Sequence, residues 1–166
     1  MSGNRGKIVG QFIPRPIRMM ESPAYRALSL SGHRVLARVE VEHGAHGGMD
    51  NGSLPVTFLD FENYGIDRHA IGPAIRECVA LGFLEVTERG RSGNGDFRKP
   101  NKFRLTYLIR RGIKASNEWE KIGTEEQAKS LATEARKVRP VAARSLRRHG
   151  GARREPLPLT VYPPEI

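Results

Sequence analysis

The stretch that decides the fold runs from residue 54 to residue 107 and reads LPVTFLDFENYGIDRHAIGPAIRECVALGFLEVTERGRSGNGDFRKPNKFRLTY. It opens with a short apolar run, Leu54-Pro55-Val56, which predicts a strand. Two helical patterns follow, from Phe58 to Tyr64 and from Arg68 to Leu81. Only three residues, Gly65-Ile66-Asp67, separate these helices, so a tight turn must join them.

The second helix has one apolar face and one polar face. Its apolar residues recur at four-residue intervals: Ala70, Ile71, Ala74, Ile75, Cys78 and Val79. The opposite side then carries Arg68, His69, Gly72, Pro73 and Arg76. Pro73 removes one helical hydrogen bond at a cost of about 3 kcal/mol. The helix is therefore expected either to kink there or to begin only at Gly72-Pro73.

A β-hairpin closes the stretch. Leu84 and Val86 alternate with polar residues, and so do Phe103, Leu105 and Tyr107. The loop of residues 89–102 between them is rich in glycine and basic residues, which predicts an antiparallel hairpin.

The order strand, helix, turn, helix and hairpin predicts an α+β winged helix-turn-helix over residues 12–108, with a three-helix core and the hairpin as wing. A short helix is expected from Pro23 to Leu28, with Ser22 as N-cap, and a longer one from Gly32 to about Glu42, with Ser31 as N-cap. A loop is expected from His43 to Gly52.

The other segments are appendages to this domain. Residues 1–11 are expected to be flexible. Residues 109–138 read as a linker and an amphipathic helix, which opens at the capping box Thr124–Gln127 and docks loosely through a weakly apolar face. Residues 139–166 are expected to be a disordered tail, basic and rich in proline. Within it, residues 156–164 have the composition of a docking peptide.

Charge points to a polyanionic partner. The net charge is +10, and residues 136–154 hold eight Lys/Arg and no acid. Double-stranded DNA is the expected partner, and the basic tail leaves RNA open. An anionic membrane surface is the main rival as partner of these charges. No apolar run approaches the 18 residues of a membrane span, so no span is expected, and DNA is preferred over a membrane as the partner. Cys78 is the only cysteine, which suits a reducing cytoplasm.

Eight basic residues are candidates for DNA contact. In the second helix, the first turn is expected to meet base edges and a position two turns later to meet the backbone. The hairpin loop is expected to grip phosphates. The candidates are Arg68, His69, Arg76, Arg89, Arg91, Arg98, Lys99 and Lys102. A solvated charged face is the bland alternative for the helix, and chance surface charge is the alternative for the loop.

Nothing in the sequence argues for catalysis or a cofactor. His43 and His46 are three residues apart, but they lie in a Gly-rich stretch without a cysteine partner, so no metal is expected. The loop glycines lack the Gly-Lys-Ser/Thr ending of a nucleotide-binding loop. An enzyme is not expected.

Three segments together resemble a known family: residues 22–28, residues 51–56 and residues 74–86. The sequence resembles the winged-helix domains of bacterial plasmid and phage replication initiators and related small regulators, and most of all uncharacterised helix-turn-helix proteins of alphaproteobacteria and their mobile elements. The resemblance covers residues 12–108 and implies DNA binding, with Asp67, Arg68 and His69 at the positions that face DNA.

Two hypotheses stay open. The first is a DNA-binding regulator of transcription or of mobile-element replication and maintenance, with the helix of residues 67–81 in the major groove and the wing of residues 89–102 on the backbone. The second is a winged-helix module for protein–protein interaction without sequence-specific DNA binding. A homodimer is possible in either case, through the helix of residues 124–138.

Overall fold

The computed structural model describes residues 9–91, 99–110 and 112–138 of the 166-residue chain. Within these ranges the chain is a mixed α+β fold of six α-helices, one short 3-10 helix and a three-stranded antiparallel sheet. The elements in chain order are α1 (Ile17–Met20), α2 (Pro23–Arg26), α3 (Leu30–Ala45), β1 (Leu54–Val56), α4 (Phe58–Asn63), α5 (Arg68–Ala80), β2 (Leu84–Glu88), β3 (Asn101–Leu105), the 3-10 helix (Glu118–Lys121) and α6 (Glu125–Lys137).

The predicted hairpin is confirmed, and β1 joins it as a third strand. β3 lies in the middle of the sheet, antiparallel to β1 on one side and to β2 on the other. Phe103 on β3 is therefore opposite Leu54 of β1 and Val86 of β2. A bulge follows Val86, so that Glu88 rather than Thr87 pairs with Lys102. This bulge lies next to the hairpin loop and changes the direction of the side chains at the base of that loop.

The two helices and the turn between them form as local sequence chemistry requires. Thr57 and Asp60 make both hydrogen bonds of the capping box at the start of α4. Gly65 adopts the left-handed conformation, with φ at +87°, and so ends α4. The side chain of Asp67 accepts a hydrogen bond from the N–H of His69 and starts α5 there, so the alternative start at Gly72-Pro73 is wrong.

The apolar face predicted for α5 needs two corrections. Val79 is 40% exposed, whereas Glu77 is fully buried. The carboxylate of Glu77 accepts hydrogen bonds from the backbone N–H of Ser29, at 2.8 Å, and from its hydroxyl, at 2.6 Å. Arg136 of α6 pairs with the same carboxylate at 2.6 Å. A buried charge is tolerated here because each of its oxygens has a partner.

The first long helix, α3, begins earlier and ends later than predicted. Ser29, not Ser31, is the N-cap, because its side chain accepts the N–H of Gly32 while Glu77 holds Ser29 in place. The helix then continues to Ala45, into the stretch expected to be a loop. His43 is buried against the core, and this packing outweighs the helix-breaking tendency of Gly44.

The last helix packs more closely than predicted. Ala128 and Ala132 of α6 are fully buried and belong to the same core as the helices and sheet before it. Small side chains allow two helix backbones to approach closely, and α6 packs mainly along α5. Trp119 of the 3-10 helix is also buried in this core. The expectation of loose docking is therefore wrong.

A buried ionic cluster ties the N-terminal segment to the core. Arg15 pairs with Glu40 of α3 through two nitrogens, and the hydroxyl of Tyr107 donates a hydrogen bond to the same carboxylate. The side chain of Glu40 is only 7% exposed. Burial, together with the neighbouring charge of Glu40, raises the pKa of Tyr107 well above its usual value, so this residue stays a hydrogen-bond donor.

Candidate functional site

The first turn of α5 is exposed, as predicted. The side chain of Arg68 is 66% exposed and pairs with Glu62 of α4, with Nη1 2.9 Å from Oε2. His69 is exposed beside it. Glu62 pairs with Arg68, and Asp67 accepts the backbone N–H of His69, so negative charge lies close to both residues. An incoming phosphate would therefore have to displace Glu62 from Arg68.

Arg76 is half-buried and bonded to α6 instead of facing solvent. Its Nε donates to the carbonyl of Ala135 at 2.9 Å, and its Nη2 donates to the carbonyl of Arg136 at 3.1 Å. The carbonyls at a helix C-terminus lack helical partners and carry partial negative charge, so a guanidinium stabilises them. Arg76 thus holds the end of α6 against α5.

The base of the hairpin carries three exposed cations. Arg89 follows β2, and Arg91 and Lys99 exchange two backbone hydrogen bonds across the hairpin, at 3.0 and 3.2 Å. None of these three residues, the hairpin cations, forms an ion pair with an acidic residue in the described part of the chain.

The fourth described cation of this loop is paired. Lys102 contacts Glu88 at 2.7 Å, and this contact lowers the pKa of Glu88. Arg98, the remaining candidate, lies outside the described residues.

A groove of about 980 Å³ runs beside α5, between the hairpin and α6. We call it the α5 groove. Gly72 and Arg76, from the side of α5 predicted to face outward, line it together with Ile75 and Val79 from the predicted apolar face. Residues from five other elements and the loops between them complete its walls, among them Phe58, Leu84, Val86, Arg89, Arg104, Lys121, Ile122 and Leu131.

Arg104, which lies between Phe103 and Leu105 on β3, was not among the residues predicted to form the site. Its Nε donates to Glu85 at 2.5 Å, and an Nη donates to the hydroxyl of Ser116 at 3.2 Å. The sequence also did not predict that the apolar residues Phe58 and Leu131 form part of the wall of this groove. They come from α4 and α6, and their approach to α5 depends on tertiary packing.

The histidine-rich end of α3 is a hydrogen-bonded helix terminus. His46 bonds to Asp50 at 3.0 Å and to Glu42 at 3.2 Å. Its pKa is raised, chiefly by the hydrogen bond to Asp50. Among residues 9–91, 99–110 and 112–138, no three His, Cys, Asp or Glu side chains are grouped closely enough to hold a metal ion. No described helix combines the length and apolar character needed to cross a membrane.

Comparisons with protein-family models, with curated proteins and with solved structures found no match to this chain.

Proposed function

We propose that this chain is a DNA-binding protein of the winged helix-turn-helix type, acting as a regulator of transcription or in the replication or maintenance of a mobile element. The hairpin is its main contact with the phosphate backbone, and the first turn of α5 enters the major groove. The observation that carries the proposal is the set of hairpin cations Arg89, Arg91 and Lys99, which are exposed and form no ion pair among the described residues. Arg89 also lines the same groove as Gly72 and Arg76 of α5.

The order of the elements supports this assignment. Helix α3, strand β1, helices α4 and α5, and the hairpin of β2 and β3 follow one another as in a winged helix, with α5 at the recognition position. The strand order β1-β3-β2 puts the hairpin loop at the edge where β1 ends and α4 begins. Arg89 at the base of the loop and Gly72 and Arg76 of α5 line the same groove, which supports a surface shared by the hairpin and α5.

The composition of α5 limits how it reads DNA. Gly72 and Pro73 offer no long side chain, and Arg76 is bonded to α6. Base contacts then come only from Arg68 and His69, whereas the hairpin supplies charge. Strong backbone binding with modest base discrimination follows.

A salt titration of DNA binding tests the proposal. The full chain is mixed with a fluorescein-labelled duplex of mixed sequence, and anisotropy is followed as salt is raised. The variant Arg89→Gln/Arg91→Gln should bind about tenfold or more weakly, with the slope of log affinity against log salt reduced by about 2.

A charge-matched control uses two exposed lysines away from this surface. Lys129 is two residues from Leu131 on α6, so it points roughly opposite to the groove-lining face. Lys114 follows the end of β3 that is far from the hairpin loop. The variant Lys114→Gln/Lys129→Gln should bind almost as the unmodified chain does. No binding even at low salt, or an equal loss in both variants, contradicts the proposal.

A protein-interaction module is the second candidate function, and one observation favours it. Three apolar side chains of the α5 groove, Phe58, Val79 and Leu131, are each about 40% exposed. A phosphate backbone is not stabilised by contact with such a surface, whereas the apolar side chains of a protein partner are stabilised by being buried against it. If the hairpin substitutions do not change the affinity for DNA, the protein-interaction module becomes the preferred function.

A further inference from the structure

We propose that the α5 groove binds residues 155–166 of this same chain. This inference stands apart from DNA binding, since it rests on the surface of the groove and on the sequence of that segment.

The groove offers apolar surface that the described residues leave uncovered. Phe58, Val79 and Leu131 are 39%, 40% and 37% exposed, although they come from three different helices. Ile75 and Leu84 are buried beneath them and make the floor apolar as well. Burial of such surface stabilises a complex by about 25 cal/mol per Å².

Charge favours residues 155–166 over residues 139–154 as the segment that binds in the α5 groove. The groove is lined by four basic residues, Arg76, Arg89, Arg104 and Lys121, and by two acidic ones, Glu85 and Glu118. Residues 155–166 carry two glutamates and no Lys/Arg, so they complement this excess of positive charge. Residues 139–154 carry six arginines and no acid, so the groove repels them.

The apolar residues of the segment also match a groove. Leu157, Leu159 and Val161 alternate with other residues, so an extended backbone directs all three to one side. The four prolines of residues 155–166 restrict the backbone and disfavour a helix, which reduces the entropy lost when an extended peptide binds.

The connection between α6 and the segment is long enough. Arg76 lines the groove and bonds the carbonyls of Ala135 and Arg136, so α6 ends at the rim of the groove. Residues 139–154 can span at most about 55 Å when extended, so a segment tethered to the end of α6 can reach the groove that this end borders. A tether of this length gives an effective concentration near the millimolar range, so weak contacts suffice.

Site-specific photocrosslinking in the full chain tests the inference. The photoreactive residue p-benzoylphenylalanine is placed at Val79 and, as a control, at Leu30, which is 82% exposed and lies outside the groove. Irradiation followed by peptide mapping should join position 79 to residues 155–166 within one molecule. Position 30 should give no such product.

Substitutions within the segment supply the matched comparison. Leu159→Asp puts a charge on the apolar side and should lower the yield of the position-79 product about tenfold, because it loses the burial of one leucine. Thr160→Asp adds the same charge on the other side and should change the yield little. Crosslinks to a second copy, crosslinks to other parts of the chain, no crosslink, or equal effects of the two substitutions would each overturn the inference.

The outcome is separable from that of the DNA experiment. If both proposals hold, Leu159→Asp should also strengthen binding to DNA, because the groove borders the same face of α5. If the chain binds no DNA, the crosslink and its loss in Leu159→Asp are still measurable. If DNA binds but position 79 never joins residues 155–166, only the inference about the groove fails.

Discussion

Replacing Arg136 with methionine removes the cation that pairs with the buried carboxylate of Glu77. The pair has an N–O distance of 2.6 Å, with Glu77 fully buried and the side chain of Arg136 37% exposed. Methionine retains most of the apolar stem of arginine, so the loss of charge dominates the effect. Because the pair joins α6 to α5, its removal should weaken both the packing of α6 and the whole fold.

The contacts of Glu77 set the size of this effect. Removing one partner of a buried ion pair costs about 3–5 kcal/mol. Ser29 still donates two hydrogen bonds to Glu77, and water reaches the site of the guanidinium, so we expect about 2–3 kcal/mol. The double variant Glu77→Gln/Arg136→Met removes the uncompensated charge. It should therefore be about 1–2 kcal/mol more stable than Arg136→Met alone.

Urea unfolding followed by the fluorescence of Trp119 measures these differences. Trp119 is the only tryptophan, is 4% exposed and precedes α6, so its emission reports on the affected region. Lys137→Met is the control, because the pair of Lys137 with Glu134 is exposed and should contribute less than about 0.5 kcal/mol. The reasoning is refuted if Arg136→Met unfolds like the control, or if adding Glu77→Gln restores no stability.

Three further substitutions test other parts of the structure in the same unfolding assay. Gly82→Ala should cost more than about 2 kcal/mol, because φ is +79° and the new Cβ would lie 2.6 Å from the backbone of the 3-10 helix; a near-neutral result contradicts this packing. His46→Gln should lower the free energy of unfolding more at about pH 5.5 than at about pH 8, because the hydrogen bond to Asp50 raises the pKa of His46 in the folded protein. The protonated His46 stabilises the fold fully below the pKa of the unfolded chain, near 6.5, and this contribution is lost as pH rises through the pKa of the folded protein. An equal loss of stability at both pH values would count against this prediction. Arg15→Met should cost about 3–5 kcal/mol by leaving the charge of Glu40 buried, and a loss under about 1 kcal/mol would show that this cluster contributes little.

The centre of the fold could be predicted because its signals are local. The capping box at Thr57, the left-handed glycine at position 65 and the cap at Asp67 involve residues only a few positions apart. The predicted second helix, from Arg68 to Leu81, differs from the observed α5 by one residue at its end. The alternating apolar residues likewise predicted the hairpin.

The errors arise where a distant residue decides the outcome. Glu77 and Ser29 bond each other across 48 positions, and this contact selects Ser29 rather than Ser31 as the cap of α3. Arg76 was expected to face solvent because a charged residue outside an apolar stripe usually does. Its partners are backbone carbonyls of α6, 59 and 60 positions later, and no sequence pattern indicates them.

In the candidate site, too, the exposed positions could be predicted from the sequence, whereas the ion pairs could not. Periodicity placed Arg68 and His69 on the exposed side of α5, where the structure has them. It could not predict that Arg68 pairs with Glu62 or that Lys102 pairs with Glu88, because the bulge and the angle between α4 and α5 create those contacts. The hairpin cations became the main candidates only once the ion pairs were known.

The central claim is that the hairpin and the first turn of α5 face one DNA duplex, and a tethered cleavage reagent tests it most directly. An iron chelate is attached to Cys in His69→Cys, Lys99→Cys or the control Lys114→Cys of the full chain, and cleavage of bound DNA is mapped. Cys78 does not interfere, because it is fully buried and burial raises the pKa of its thiol. We predict cleavage from positions 69 and 99 at neighbouring sites on the duplex and little from position 114. Cleavage from only one of the two positions, or equally strong cleavage from position 114, would contradict the claim.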